Sequence, residues 1–233
     1  GQRLVTHPDI DVLLLTGSLD TARTVRRLTQ SRPELPTLMQ CGGKGAALVL
    51  DGAELDRAVY EVMVGAFLTA GQRHNSTARV IVTEQMYDAF VERIIQQTKK
   101  IKVGNGFEPQ VFLGPLISEN LRTRFRRFCR TLVSNGHRML LKPESPQVLE
   151  NGFFVRPGIV DVHWSGGPPV LEVEPPGPML LVYKVADWQQ AVALHNKIGA
   201  RISTSLFVDP EDPNLGDIRD RLRTGALNIN RGT

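Results

Sequence analysis

The sequence alternates short apolar runs with longer amphipathic stretches, and this alternation limits the folds that the chain can adopt. Predicted strands cover residues 12–15, 37–40, 46–50, 80–83, 139–141, 153–155, 157–160, 180–184, 204–208 and 226–229. Predicted helices cover residues 19–29, 51–71, 84–100, 118–134, 187–195 and 211–223. This order favours an α/β fold with a mainly parallel sheet flanked by helices, because right-handed crossovers connect parallel strands.

Composition narrows the class of protein further. The chain has 233 residues, of which 41% are hydrophobic and 22% are charged, as in ordinary globular proteins. No apolar run reaches membrane-spanning length, and no secretory signal pattern is present. Its two cysteines, Cys41 and Cys129, are far apart and form no motif, which indicates a reducing compartment. We therefore predict a cytoplasmic protein.

Two short signatures stand out between residues 38 and 79. The first is Gln40-Cys41-Gly42-Gly43-Lys44, in which a strand runs into a glycine pair whose backbone can closely approach a ligand or another strand. The second is Gly71-Gln72-Arg73-His74, at the end of the helix predicted from residue 51. We expect a capping box formed by Asp51 and Glu54 to start that helix.

This pair of signatures resembles the core of the aldehyde dehydrogenase superfamily, in which Glu-Leu-Gly-Gly-Lys is followed, after one helix, by Gly-Gln-Arg-Cys. The resemblance implies an aldehyde dehydrogenase-like catalytic domain at residues 37–233, with Pro33 and Pro36 marking its start. It implies that residues 1–36 are a C-terminal remnant of the NAD-binding, Rossmann-like domain. Further segments resemble the succinylglutamate semialdehyde dehydrogenase branch of the family.

Two residues depart from the family pattern. Gln40 stands at the position of the general-base glutamate, and His74 stands at the position of the nucleophilic cysteine. In the family, a thiolate attacks the aldehyde, hydride passes to the nicotinamide, and a carboxylate activates the water that hydrolyses the thioester. A glutamine side chain does not accept that proton, and imidazole is a weaker nucleophile than a thiolate. We therefore expect no functional catalytic residues, and we expect His74 to be a hydrogen-bonded loop residue.

His74 admits two other interpretations. Cys41 and His74 would form a nucleophile and base pair if both faced one cavity, but neighbouring strand residues point to opposite faces. If residue 40 faces the pocket, Cys41 should not, and a free cysteine usually behaves as a small buried apolar residue. A metal site is disfavoured as well, because the other histidines, at 7, 137, 163 and 195, show no ligand spacing.

The cofactor-binding candidates are Gly17, Ser18, Cys41, Gly42 and Glu174. A strand, a Gly-Ser turn and a helix start make a natural anion site, although most such turns merely connect two elements. The family carries Thr-Gly-Ser near the pyrophosphate of its NAD or NADP cofactor. Glu174 falls on the glutamate that binds the nicotinamide ribose in the family, yet it is equally well read as an exposed acid in a proline-rich loop.

The resemblance covers nearly the whole chain but only about half of a full family member. In a full family member, most of the dinucleotide-binding domain precedes the matching part, and the last active-site loop and an oligomerisation strand follow it; the sequence leaves open whether these parts exist here. We therefore expect this chain alone to bind NAD or NADP weakly or not at all. The partners we expect are a second copy or other subunits, and a small aldehyde or nucleotide, but neither nucleic acid nor a membrane.

A predicted helix at residues 118–134 carries Arg122, Arg126 and Arg130 as an exposed ridge with helical spacing. We interpret this ridge as a solvated helix face, since the net charge of +4 is modest and no stacking aromatic residues flank it. The preferred function is an aldehyde dehydrogenase-like domain without dehydrogenase activity, serving assembly or ligand binding. The alternatives are an active NAD(P)-dependent semialdehyde dehydrogenase within a longer chain and, more weakly, a basic interaction module.

Overall fold

The described strands form two β-sheets, one of two strands and one of seven. The computed structural model describes residues 1–42, 44–144, 146, 152–163, 173–199 and 202–233. Its helices are α1 (Gln2–Val5), α2 (Leu19–Thr29), α3 (Leu55–Phe67), α4 (Glu84–Lys99), α5 (Glu119–Ser134), α6 (Trp188–Lys197) and α7 (Leu215–Arg221). Its strands are β1 (Leu13–Gly17), β2 (Thr37–Cys41), β3 (Gly45–Val49), β4 (Thr77–Thr83), β5 (Arg138–Leu141), β6 (Gly158–Asp161), β7 (Met179–Val185), β8 (Ser203–Phe207) and β9 (Ala226–Ile229).

The larger sheet has the strand order β5-β6-β7-β4-β3-β8-β9. Its neighbouring strands run parallel apart from the antiparallel pair β5 and β6. Every residue of β3 and β4 is buried, as expected for central strands that helices cover on both faces. The prediction of an α/β fold with a mainly parallel sheet is confirmed. Within the described part of the chain, no helix has the length and apolar character needed to cross a membrane.

The smaller sheet corrects one expectation about strand pairing. We expected strand 37–40 to open the sheet of the second unit, but β2 pairs in parallel with β1, with Gly17 opposite Cys41. Both strands alternate between exposed and half-buried residues, a pattern suited to a sheet with one open face and unsuited to the buried centre of the larger sheet. The division of the chain at residue 36 stays a prediction.

Several element boundaries also differ from prediction. Helix α3 begins at Leu55 rather than after Asp51, because the Asp51 carboxylate accepts a hydrogen bond from the Thr83 hydroxyl and Gly52 turns the chain with φ +75°. The helix ends at Phe67 and a 3-10 turn follows it. Residues 153–155 form no strand, and α7 is shorter than the helix predicted at 211–223. Asp209 and Asp212 cap two turns before α7, which delays its start.

The topology brings three connecting segments to the same end of the strands in the larger sheet. Strands β3, β4 and β7 are parallel neighbours or next neighbours, so the segments that precede them lie at the same end. A close backbone contact joins two of these segments: a Cβ added at Gly45 would lie 2.4 Å from the Ser76 carbonyl oxygen. Only glycine allows this approach, and the contact fixes the start of β3 against the loop that leads into β4.

The Gly45→Ala substitution should therefore destabilise the fold. The added methyl group meets backbone atoms that do not rotate away, and overpacking of this kind costs about 1–3 kcal/mol. Urea unfolding followed by circular dichroism would measure the loss. The control is Gly106→Ala, because no atom lies within 4 Å of a Cβ built there; a change within about 0.5 kcal/mol is expected. Equal stability of the two variants would contradict the proposed contact.

Candidate active site

A cavity of about 390 Å³ lies where the ends of the small sheet meet the loops before β4 and β7. Its lining residues are Thr16, Gly17, Ser18, Gly42, Gln72, His74, Leu121, Arg124, Glu174, Pro175 and Pro176. The cavity thus brings together, from segments far apart in the chain, most of the residues that the sequence singled out. Their individual roles stay predictions, and Gly43 lies outside the described residues.

Two of the predicted site residues do not line this cavity. Gln40 is exposed and Cys41 is half-buried, and the two side chains leave opposite faces of β2. His74 does line the cavity, so the structure does not place Cys41 beside it there. The described lining residues therefore include an imidazole, a carboxylate, a guanidinium and hydroxyl groups but no thiol.

The loop that carries His74 is held by its own backbone and by one glutamine side chain. Gln72 donates from Nε2 to the Thr69 carbonyl at 3.0 Å, and its Oε1 accepts the Ile117 N–H at 3.0 Å. Gly71 has φ +68° and packs closely on Gly177. A Cβ added at Gly71 would lie 2.9 Å from the carbonyl oxygen of Gly177. Among the described residues, the His74 ring has no hydrogen-bond partner, and the expectation of a hydrogen-bonded histidine stays a prediction.

The Gly17-Ser18 turn meets the cavity at the start of α2. The Ser18 hydroxyl accepts the Thr21 N–H at 3.1 Å and so caps the helix. A Cβ added at Gly17 would make only ordinary van der Waals contacts, with Leu15 and Thr21 at 3.9 Å. The N-terminal end of a helix carries partial positive charge and stabilises anions. This end of the cavity therefore suits an anionic group of a ligand.

Glu174 lines the same cavity, and opposing electrostatic influences act on its carboxyl group. Desolvation raises its pKa above the ordinary value although the side chain keeps contact with solvent, and the positive charges of Lys44, Arg79 and Arg124 oppose that rise. Arg79 is 0% exposed, and its Nη2 donates to the Val173 carbonyl at 3.0 Å. The residue before Glu174 is thus tied to β4.

Sequence reasoning missed Lys44, Arg79 and Arg124 as charges near Glu174. Arg79 did leave a signal, because it is a charged residue at the start of the apolar run 80–82. A charge at such a position needs a polar partner, since an unpaired buried charge is costly. For Arg124 the sequence holds no comparable indication, because its position on α5 does not show which loop lies opposite the helix.

The arginines of α5 do not form the ridge that their spacing predicted. Arg122 is half-buried, forms an ion pair with Glu119, donates to the Gly152 carbonyl at 3.1 Å and lies over the Phe153 ring. Arg126 and Arg130 are exposed, as expected. The predicted three-residue basic ridge is therefore wrong at Arg122. Across the described ranges, no group of histidine, cysteine or acidic side chains is placed to hold a metal ion.

Comparisons with known proteins bear on this arrangement. A model of the aldehyde dehydrogenase family matches residues 1–233. Alpha-ketoglutaric semialdehyde dehydrogenase of Bacillus subtilis is 28% identical over 232 residues, covering 99% of this chain and 47% of that enzyme. N-succinylglutamate 5-semialdehyde dehydrogenase of Escherichia coli O157:H7 is 32% identical over 234 residues, covering 99% and 46%. The latter match agrees with the branch resemblance drawn from the sequence.

A solved structure gives the same picture. The NADP-dependent glyceraldehyde-3-phosphate dehydrogenase of Bacillus halodurans C-125, complexed with NADP, superposes with a TM-score of 0.85 at 28% identity. The superposition covers 100% of this chain and 47% of that one. This chain therefore spans about half the length of the relatives it matches.

The raised pKa of Glu174 predicts a pH-dependent effect of the Glu174→Gln substitution. The pKa of Glu174 is higher in the native state than in the unfolded state. At pH values between these two pKa values the native state binds more protons, so the free energy of unfolding falls as pH rises through this range. Glutamine does not ionise. The variant should therefore be more stable than wild type at pH 7, and the difference should shrink as pH falls to about 4.5.

Urea unfolding at the two pH values measures this difference. The control is Glu211→Gln, which changes an exposed glutamate that does not line the cavity. A Glu174→Gln variant that is less stable than wild type at pH 7 would show that the surrounding positive charges outweigh desolvation.

Proposed function

Because the chain belongs to the aldehyde dehydrogenase family, we propose that it is a member that keeps the family's cavity for ligand binding and has lost the dehydrogenase reaction. One observation carries this proposal: the cavity position that matches the family's nucleophile holds the imidazole of His74, and no described lining residue supplies a thiol. The two relatives described above are named as semialdehyde dehydrogenases.

Both halves of the oxidation are affected. Covalent capture of an aldehyde needs a strong nucleophile, and neutral imidazole forms no adduct with an aldehyde from which hydride readily leaves. Hydrolysis of the acyl intermediate needs a proton acceptor, and the amide of Gln40 is not one. Gln40 also lies outside the cavity lining, so it does not substitute as a water-positioning group there. The two changes reinforce each other.

The residues around the cavity fit part of a nicotinamide cofactor. The Gly17-Ser18 turn at the start of α2 suits one anionic group, and the Glu174 carboxylate suits hydroxyl donors. When bound in an active relative, the cofactor supplies the hydride acceptor. Pro175 and Pro176 stiffen the loop beside Glu174 and offer no N–H donors to a ligand. We propose that NAD or NADP binds weakly to this chain.

An active NAD(P)-dependent semialdehyde dehydrogenase within a longer chain is the second candidate. The family match over residues 1–233 favours it, as do relatives about twice as long that are named as dehydrogenases. A basic interaction module has less support, because Arg122 is engaged within the fold. Assembly with a second copy or another subunit, and a cytoplasmic location, stay proposals.

The activity assay separates the first two candidates. The natural polypeptide that contains these residues should show no reduction of NAD or NADP, above a no-enzyme control, with a panel of short semialdehydes. The readout is the absorbance of the reduced nicotinamide. Turnover that is abolished by His74→Ala or Cys41→Ser would overturn the proposal and establish an enzyme with an unusual nucleophile.

Restoring the family residues gives a complementary test. The substitution His74→Cys should produce a single-turnover burst of reduced nicotinamide in the same polypeptide, because it returns a thiol to the cavity lining. Steady turnover should stay slow, and adding Gln40→Glu should not raise it, because residue 40 lies outside that lining. A His74→Cys variant that gives no burst would contradict the view that the missing thiol limits the reaction.

Nucleotide binding tests the retained cavity separately from the reaction. Isothermal titration with NADP should give weak binding, on the order of 1 mM or weaker, that Ser18→Ala reduces further. Loss of the Ser18 cap also costs about 1 kcal/mol of stability, so unfolding is measured in parallel. The control is Ser134→Ala on α5, which lies outside the cavity lining. Tight binding that Ser18→Ala leaves unchanged would contradict this assignment.

A further inference from the structure

A second cavity, of about 520 Å³, lies beside β5 at one end of the larger sheet. We call it the sheet-edge cavity. The end of α4, strand β5 and the segments at residues 142–144 and 156–157 line it, and it shares no lining residue with the candidate active site. Its volume is in the range of small-molecule sites.

Three cationic side chains converge on this cavity. Lys99, Lys142 and Arg156 come from three separate segments, and Glu144 is the one acidic residue among the described lining residues. The backbone N–H of Arg156 donates to the Glu144 carbonyl at 2.9 Å, which draws two of these segments together. The described lining residues therefore carry a net positive charge.

These cations lack the partners that neighbouring charges have. Among the described residues, none of the three side chains forms an ion pair or a hydrogen bond. Close by on the same sheet, Arg138 pairs with Asp161 at 2.9 Å and Lys184 pairs with Glu84 at 3.0 Å. One carboxylate, that of Glu144, lines the cavity with these three cations, so the like charges are only partly compensated, and a bound anion would reduce their mutual repulsion.

We propose that the sheet-edge cavity binds a small molecule that carries two or more negative charges. The cations recognise phosphate or carboxylate groups, and the apolar side chains of Ile101, Met139 and Leu141 form a surface for a short carbon skeleton. The site is independent of the active-site cavity and of any dehydrogenase chemistry. Because its cations are exposed, binding weakens as ionic strength rises.

Titration of the 233-residue chain with pyrophosphate and, separately, with citrate tests the site. Calorimetry at low ionic strength should show saturable binding with one site in at least one arm, while sodium chloride at matched ionic strength gives none. Binding in the pyrophosphate arm alone identifies a phosphate ligand, and binding in the citrate arm alone identifies a polycarboxylate. Lys142→Gln and Arg156→Gln should each weaken the affinity roughly fivefold.

The matched control is Arg130→Gln, which removes an exposed charge from α5 and does not line the cavity. It should leave the affinity unchanged, and all three variants should keep the wild-type unfolding midpoint. The proposal is overturned if neither anion binds saturably. It is equally overturned if Arg130→Gln weakens binding as much as Lys142→Gln does, because general charge attraction would then account for the signal.

Discussion

Burial of β3 and β4 on both faces is the constraint on which the site depends. All residues of these two adjacent strands are buried, and helices α3, α4 and α6 contribute apolar residues to the core around them. Strands held in this way leave their first residues little freedom. The loop that carries His74 and the segment after Gly42 both lead into these strands, so the core fixes one side of the cavity. These two segments meet at the close approach of Gly45 to the Ser76 carbonyl.

Arg79 extends that constraint to a third segment. A charged side chain inside a buried strand costs free energy of folding unless its N–H groups form hydrogen bonds. Arg79 is buried, and its Nη2 donates to the Val173 carbonyl. The same strand therefore holds His74 through its loop and Glu174 through the residue that precedes it. The guanidinium also opposes the desolvation that raises the pKa of Glu174. A buried charge of this kind links cavity geometry to cavity electrostatics.

Hydrophobic periodicity was enough to predict the fold class and most of its elements. It did not reveal which sheet β2 joins, because a strand's own residues do not specify its partner; the half-exposed pattern of β1 and β2 became meaningful only once the two were paired. Asp51 and Glu54 matched a capping box by spacing, yet the Asp51 carboxylate binds Thr83, which is 32 residues away. A local sequence motif of this kind does not determine the structure when a tertiary hydrogen-bond partner is available.

The site was predictable to the extent that it follows short motifs. Gly17, Ser18, Gly42, His74 and Glu174 belong to segments that resemble family motifs, and they line one cavity. Gln40 and Cys41 belong to such a segment too and do not line it, because strand geometry turns their side chains to the two faces of a small exposed sheet. The positive charges of Lys44 and Arg124 act on the pKa of Glu174 through a tertiary arrangement that no spacing in the sequence encodes.

The two departures from the family pattern lie where folding places little demand on the side chain. Gln40 is exposed and His74 is half-buried without a described hydrogen-bond partner, so neither replacement disturbs the core. Gly45, Gly71 and Arg79 occupy positions where close contacts or a buried charge leave few alternatives, and they are what shapes the cavity. Chemistry and scaffold are therefore carried by different residues in this chain. The proposed loss of the reaction would leave the scaffold intact, and the cavity presents a helix N-terminus and a carboxylate to a ligand.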